Sequence, residues 1–231
     1  MRYDSFMSEK NKQAISEADL KATPHLEDFA HKYTEEGQGK IGGRLLDNYF
    51  KNVSELINVA KIKKDKRCNA IEIGCGEGFS TMRIKEMLPD NFTLQASEYV
   101  DKLVPKAQKR NPNIKIIQES VYETKHPDDS FDLVFLLEVL EHLDYPDKAL
   151  QELLRITKPG GYLILGVPRE PLWRVLNTAR GKYLKDFGNT PGHLNHWSSR
   201  GIKKFIEKNY GQIIDSRQPL PWTQVLAKKK D

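Results

Sequence analysis

Apolar positions along the chain fall into two periods. From Gly43 onward, Leu45, Leu46, Tyr49, Phe50, Val53, Leu56, Ile57 and Ala60 recur at helical spacing, which predicts an amphipathic helix. After Arg67 short apolar runs alternate with amphipathic stretches. Strands are predicted at Ala70–Gly74, Phe92–Glu98, Ile114–Glu119, Phe131–Leu137 and Tyr162–Val167, with helices over Ser80–Leu88, Val100–Arg110 and Asp147–Thr157 between them. The last helix meets Lys158-Pro159-Gly160-Gly161, which reads as a terminator followed by a tight turn. Strands that alternate with helices imply a parallel α/β sheet wound by helical crossovers. Two more strands, Gln212–Arg217 and Thr223–Lys228, are joined by a loop with Pro219 and Pro221. That loop is too short for a crossover, so the closing pair is expected to be antiparallel.

The pattern also sets two regions apart. Residues 1–40 are polar and irregular, an N-terminal segment of helices ahead of a domain over 41–231. Residues 168–198 follow no regular pattern and are too many for an ordinary connection, so they are a candidate substrate cap.

Composition narrows the class. Hydrophobic residues at 38% of 231 positions are enough for a core, which excludes disorder as the main state. The longest aliphatic or aromatic run, Leu133 to Leu137, cannot span a bilayer, and Met1 to Phe29 lacks the apolar stretch of a signal peptide. Cys68 and Cys75 read as free thiols, in keeping with a cytoplasmic protein.

The net charge of +5 lies in patches. Residues 61–67 carry +4, residues 169–187 carry +3, and the tail Lys228–Asp231 carries +2. The first and last belong at the amino edge of the sheet, away from any crevice at the strands' carboxyl ends. Only the middle patch is placed to face a substrate. It suits a carboxylate, a phosphate or a polyanionic lipid headgroup, and is a small footprint for nucleic acid.

The chemistry centres on Ile71-Glu72-Ile73-Gly74-Cys75-Gly76-Glu77-Gly78, which follows a strand and opens a helix. Glycines there let a backbone approach a ligand at the carboxyl edge of the sheet. A dinucleotide fingerprint would need a third glycine where Phe79 stands, and the acid at Glu72 has no use beside a pyrophosphate. Glu98, at the end of the second strand, can bond both ribose hydroxyls. The ligand reads as a nucleoside without a pyrophosphate.

With these residues the chain resembles the class I S-adenosylmethionine-dependent methyltransferases, roughly from Ala70 to Lys229. The resemblance extends through Ser130-Phe131-Asp132-Leu133-Val134, Leu140-Glu141-His142 and Arg155-Ile156-Thr157-Lys158-Pro159-Gly160-Gly161, close to the small-molecule branch. It implies a Rossmann-like, doubly wound, seven-stranded sheet with its last strand antiparallel. The implied cofactor shell is Glu72, Gly74, Cys75, Gly76 and Gly78 around the methionine moiety, Glu98 with Tyr99 at the ribose, Ser120 and Val121 at the adenine, and Glu138. The family often has Asp where this chain has Ser120. Arg44 could pair with the methionine carboxylate, as an arginine does in ubiquinone-pathway O-methyltransferases.

Methyl transfer from a sulfonium needs alignment and, for a hydroxyl acceptor, removal of a proton. His142 and His193 are the candidate bases, with His196 beside them in Pro191-Gly192-His193-Leu194-Asn195-His196-Trp197. Glu138, Glu141, His142 and a remote histidine could also hold a divalent cation, as in certain quinone-pathway and small-RNA 2′-O-methyltransferases. Leu-Glu-His after the fourth strand is common in members that need no metal, so a metal-free route is expected. The expected function is methylation of a small-molecule acceptor, possibly anionic, at a hydroxyl oxygen. The alternatives are an RNA methyltransferase and a nucleoside-binding regulatory protein without turnover.

Overall fold

The alternating pattern folds into one sheet. The computed structural model describes residues 35–62 and 65–230. Its strands are β1 (Cys68–Ile73), β2 (Phe92–Glu98), β3 (Lys115–Gln118), β4 (Phe131–Leu137), β5 (Thr157–Pro168), β6 (Gly211–Arg217) and β7 (Trp222–Lys229). They stand in the order β3-β2-β1-β4-β5-β7-β6, parallel except for β7, which runs antiparallel to both neighbours. This is the doubly wound sheet expected. Chain direction reverses its march between β1 and β4, so a crevice opens there at the carboxyl ends.

Helices cover both faces: α1 (Glu35–Val59), α2 (Phe79–Met87), α3 (Val104–Arg110), α4 (Pro146–Ile156), α5 (Leu172–Ala179) and α6 (Ser199–Asn209). Strand alternation divides the core between them. Leu133, Phe135 and Leu137 of β4 face the layer of Tyr49, Phe50, Val53 and Leu56 from α1. Val134 and Leu136 face the opposite layer, with Leu150, Leu153 and Ile156 of α4 and Ile202 and Ile206 of α6.

Four departures from the predicted elements have local causes. α1 begins at Glu35, so it runs across the boundary drawn at residue 40; residues 1–34 lie outside those described. α3 starts at Val104 rather than Val100 because Pro105 has no N–H to give and is tolerated only in a first turn. β5 starts at Thr157, directly after α4. Phe131 pairs with Thr157 and Leu133 with Tyr162, so Lys158–Gly161 are taken up as a bulge in which Gly160 has φ +76°. Within 168–198 lie α5 and a short 3-10 turn, Leu184–Asp186.

The C-terminal basic patch falls at the amino edge of the sheet, where Lys228 pairs with Tyr162 of β5 and Lys229 bonds Asp129 at 2.7 Å. Residues 63 and 64 of the 61–67 patch lie outside those described.

Candidate active site

A cavity of about 480 Å³ opens at the reversal point. Gly74, Cys75 and Gly76 line it from the turn after β1, Glu98 and Tyr99 from the end of β2, Ser120 and Val121 after β3, and Glu138 and His142 after β4. Nine of the predicted residues thus meet in one cavity. Its volume is within the ordinary range for a small-molecule site.

The turn is shaped to admit a ligand. Gly76 has φ +55°, and a Cβ built on it would meet nothing within 4 Å, so the space beside its backbone is open. Gly78 is different. It has φ +81°, and a Cβ there would press on Asn111 and Ala107, so it serves the packing of α2 against α3 and does not line the cavity. Glu98 braces the turn by accepting N–H bonds from Gly76 at 2.7 Å and Val100 at 2.9 Å. Burial pushes its carboxyl up, and those backbone bonds pull against the shift.

Glu72 lies beneath the turn rather than in the cavity. Its Oε2 accepts from the Thr81 hydroxyl at 2.5 Å, tying β1 to α2, while Oε1 has no partner. Burial pushes its carboxyl up to about 7, against hydroxyl bonds from Ser80 and Thr81 and with a small addition from Glu98.

Arg44, either a partner of the methionine carboxylate or a solvated arginine, is exposed and does not line the cavity. Gly43, Leu46, Asp47 and Phe50 do, at the i, i+3, i+4, i+7 positions of one face of α1, which turns Arg44 aside. The cation that lines the wall is Arg83 of α2, paired with Asp47 at 3.1 Å and 5.0 Å above the Phe50 ring. Tyr49, Met82, Tyr122 and Trp222 complete an aromatic and apolar lining that the motifs did not announce. The helical phase of α1 could have found part of it; Trp222 comes from the far side of the sheet, and no local signal points to it.

Beside the cavity stands a buried cluster of acids and imidazoles. Glu138 has φ +57°, and its Oε2 accepts from Trp222 Nε1 at 2.7 Å while Oε1 has no partner. Glu141 is buried with Oε2 unpartnered. Burial raises both carboxyls, Glu141 to about 8, and the Glu141 charge raises Glu138 further. His142 Nδ1 lies 2.8 Å from the Gly192 carbonyl. A carbonyl only accepts, so Nδ1 carries the proton and Nε2 is bare. Burial lowers the His142 pKa, which keeps the ring neutral. His193 does not line the cavity, but its ring stands 4.9 Å from that of His142, edge to face. One ligating atom each from Glu141, His142 and His193 lie within 4.8 Å of one another. Buried carboxylate oxygens without donors, next to imidazole nitrogens, fit a divalent cation.

None of the cavity lining comes from 168–198. Its three arginines are engaged elsewhere: Arg169 with Gln218, Arg174 with the Phe187 carbonyl, and Arg180 with Asn177. The segment adjoins the site through Trp173, whose ring is 6.0 Å from that of Trp222, and through His193.

The chain is similar to known methyltransferases. A methyltransferase domain family matches residues 71–165. An uncharacterized methyltransferase of Schizosaccharomyces pombe is 33% identical over 112 residues, 44% of this chain and 40% of that one. The mitochondrial ubiquinone biosynthesis O-methyltransferase of Dictyostelium discoideum is 26% identical over 165 residues, 64% of this chain and 50% of its own. The chain thus spans half or less of these two relatives. A SAM-dependent methyltransferase from Aquifex aeolicus has a similar fold, with TM-score 0.62, 18% identity and coverage of 78% and 89% of the two chains. Over residues 71–165 the chain carries a methyltransferase domain, and its sheet order and glycine turn are similar to those of the class I S-adenosylmethionine-dependent methyltransferases.

Proposed function

We propose that the chain methylates a small acceptor at an oxygen, with S-adenosylmethionine as donor. The observation that carries this reading is that a neutral imidazole, His142, lines the same cavity as the open glycine turn. The donor brings a methyl group already activated on a sulfonium, so the protein's work is alignment and handling of the acceptor proton. Glu98 would receive the ribose hydroxyls, Gly76 the close approach of the methionine moiety, and Ser120 with Val121 the adenine edge. His142 Nε2 would take the acceptor proton, with Nδ1 held on the Gly192 carbonyl. An aromatic lining of Tyr49, Phe50, Tyr122 and Trp222 suits an acceptor with an apolar body. The O-methyltransferase named above supports oxygen as the accepting atom.

A second reading has its own observation, the unpartnered Oε2 of buried Glu141 beside two histidines, with an unpartnered oxygen on Glu138 as well. Glu138, Glu141, His142 and His193 would then hold a divalent cation, which would supply Lewis-acid charge to an acceptor oxygen.

Calorimetry should show S-adenosylmethionine binding and NAD not binding. Transfer of labelled methyl groups into small-molecule extract then tests the reaction. On the first route His142→Ala lowers kcat by ~10²–10⁴-fold and chelators have no effect. Loss on chelation, restored by magnesium, gives the step to the second. Label entering RNA instead would overturn the small acceptor. Tight cofactor binding without any transfer would leave a nucleoside-binding regulator.

A further inference from the structure

Segment 168–198 presents a surface that the fold itself does not use. Eight large apolar side chains are exposed among the described residues, and four of them, Val175, Leu184, Phe187 and Leu194, come from this segment. Phe187 is 79% exposed and Leu184 60%. Single exposed apolar residues need no explanation, but such a concentration does.

The turn that carries them is held in place. Tyr183 and Phe187 flank it with left-handed backbones, φ +54° and +50°, which non-glycine residues keep only where their surroundings impose them. Three bonds do so. Gly188 N–H donates to the Tyr183 carbonyl at 2.8 Å, Arg174 Nε to the Phe187 carbonyl at 3.1 Å, and Asn177 Nδ2 to the Gly188 carbonyl at 3.0 Å. Any side chain at Gly188 would collide with the Arg174 carbonyl and the Thr178 hydroxyl, so the turn is pressed onto α5. The result is a fixed projection with a bare phenyl ring at its end. Segment 168–198 carries Arg169, Arg174, Arg180, Lys182 and Lys185 against Glu170 and Asp186, a net +3, and within 174–187 the four cations face only Asp186. The side-chain bonds of Arg174 and Arg180 run to neutral groups, the Phe187 carbonyl and Asn177 Oδ1, although the Arg174 charge also acts on Glu170.

We propose that this face seats the protein on an anionic lipid surface. Phe187, Leu184 and Val175 enter the boundary of the acyl chains while the four cations meet headgroup phosphates. Shape and charge favour lipid over protein. Projecting apolar tips need a matching pocket in a protein partner but none in a fluid bilayer, and cations of one sign suit a surface uniformly of the other. No described helix is long and apolar enough to cross a membrane. The inner side of the segment meets the site through Trp173 and His193, so docking would bring the cavity to the lipid surface. The inference does not depend on the methyl-transfer reading.

Sedimentation of the full chain with vesicles tests it. Binding to phosphatidylcholine mixed with phosphatidylglycerol is expected, with little to phosphatidylcholine alone, and it should weaken as salt shortens the range of the charges. Leu184→Ser with Phe187→Asn, the latter because asparagine tolerates the left-handed backbone, should weaken binding about tenfold or more. Lys182→Gln with Lys185→Gln, at fully solvated positions, should do the same without touching an apolar residue. Thermal midpoint and S-adenosylmethionine affinity should be unchanged in both. Absence of binding to the mixed vesicles, or binding that both double variants leave intact, would overturn the proposal. So would a dimer in sedimentation velocity that the Leu184/Phe187 variant dissociates, because the face would then belong to a second copy of the chain.

Discussion

At the scale of single residues the cofactor reading turns on Gly76 and Glu98. The space beside Gly76 is open in the protein and is where a ligand would lie, so Gly76→Val should abolish S-adenosylmethionine binding. Glu98→Gln keeps the shape but replaces one acceptor of the bonds to Gly76 and Val100 by a donor. It should weaken binding by ~1–3 kcal/mol in calorimetry. Unchanged affinity in both variants would remove the ligand from this turn. That both line one cavity was legible from spacing, because a glycine turn after the first strand and an acid ending the second fall at the same carboxyl edge of the sheet. Arg44 was not legible. Its side of α1 depends on how that helix is rolled against the sheet, and the roll brings Asp47 and Arg83 to the wall instead.

At the scale of elements, packing outweighs local preference. α4 carries Leu150, Leu153 and Ile156 into a fully buried layer on the face away from α1, with no residue in the cavity. Leu153→Ala should therefore cost ~2–5 kcal/mol in denaturant unfolding through transfer and cavity effects, and leave cofactor affinity unchanged. A loss of affinity equal to the loss of stability would mean that this layer also sets the site. Element types were readable from period, yet several boundaries were not. Val100–Leu103 follow the helical pattern of α3 but stay outside it because of Pro105. Lys158–Gly161 read as a break but lie within β5 as a bulge, because β4 pairs with β5 on both sides of them, Phe131 with Thr157 and Leu133 with Tyr162.

At the scale of the whole molecule, buried acids set opposing pH dependences. Burial opposes the charge on Glu152, but bonds from Arg155 and Thr124 prevail and lower its pKa. Its contribution is complete above the unfolded carboxyl value and is lost as pH falls through the lowered one. Glu72 is raised from 4.5 to about 7, so the folded state holds its proton and stability declines as pH rises across that interval, then levels off. The thermal midpoint of the free protein should fall on both sides of weakly acidic pH. Glu152→Gln should flatten the acid limb, and Glu72→Gln should make the neutral limb shallower while the raised carboxyls of Glu98, Glu138 and Glu141 keep part of it; a neutral limb unchanged by Glu72→Gln would remove Glu72 from it. The sequence by itself determined the sheet, its direction of winding, the glycine turn and the acid that ends the second strand, since period, spacing and backbone freedom are local properties. Only the tertiary structure decided which side chains share the cavity. Trp222 reaches Glu138 from 84 residues away, and His193 reaches His142 from another loop. Such contacts depend on how layers pack after the elements form, and that information belongs to no single stretch of chain.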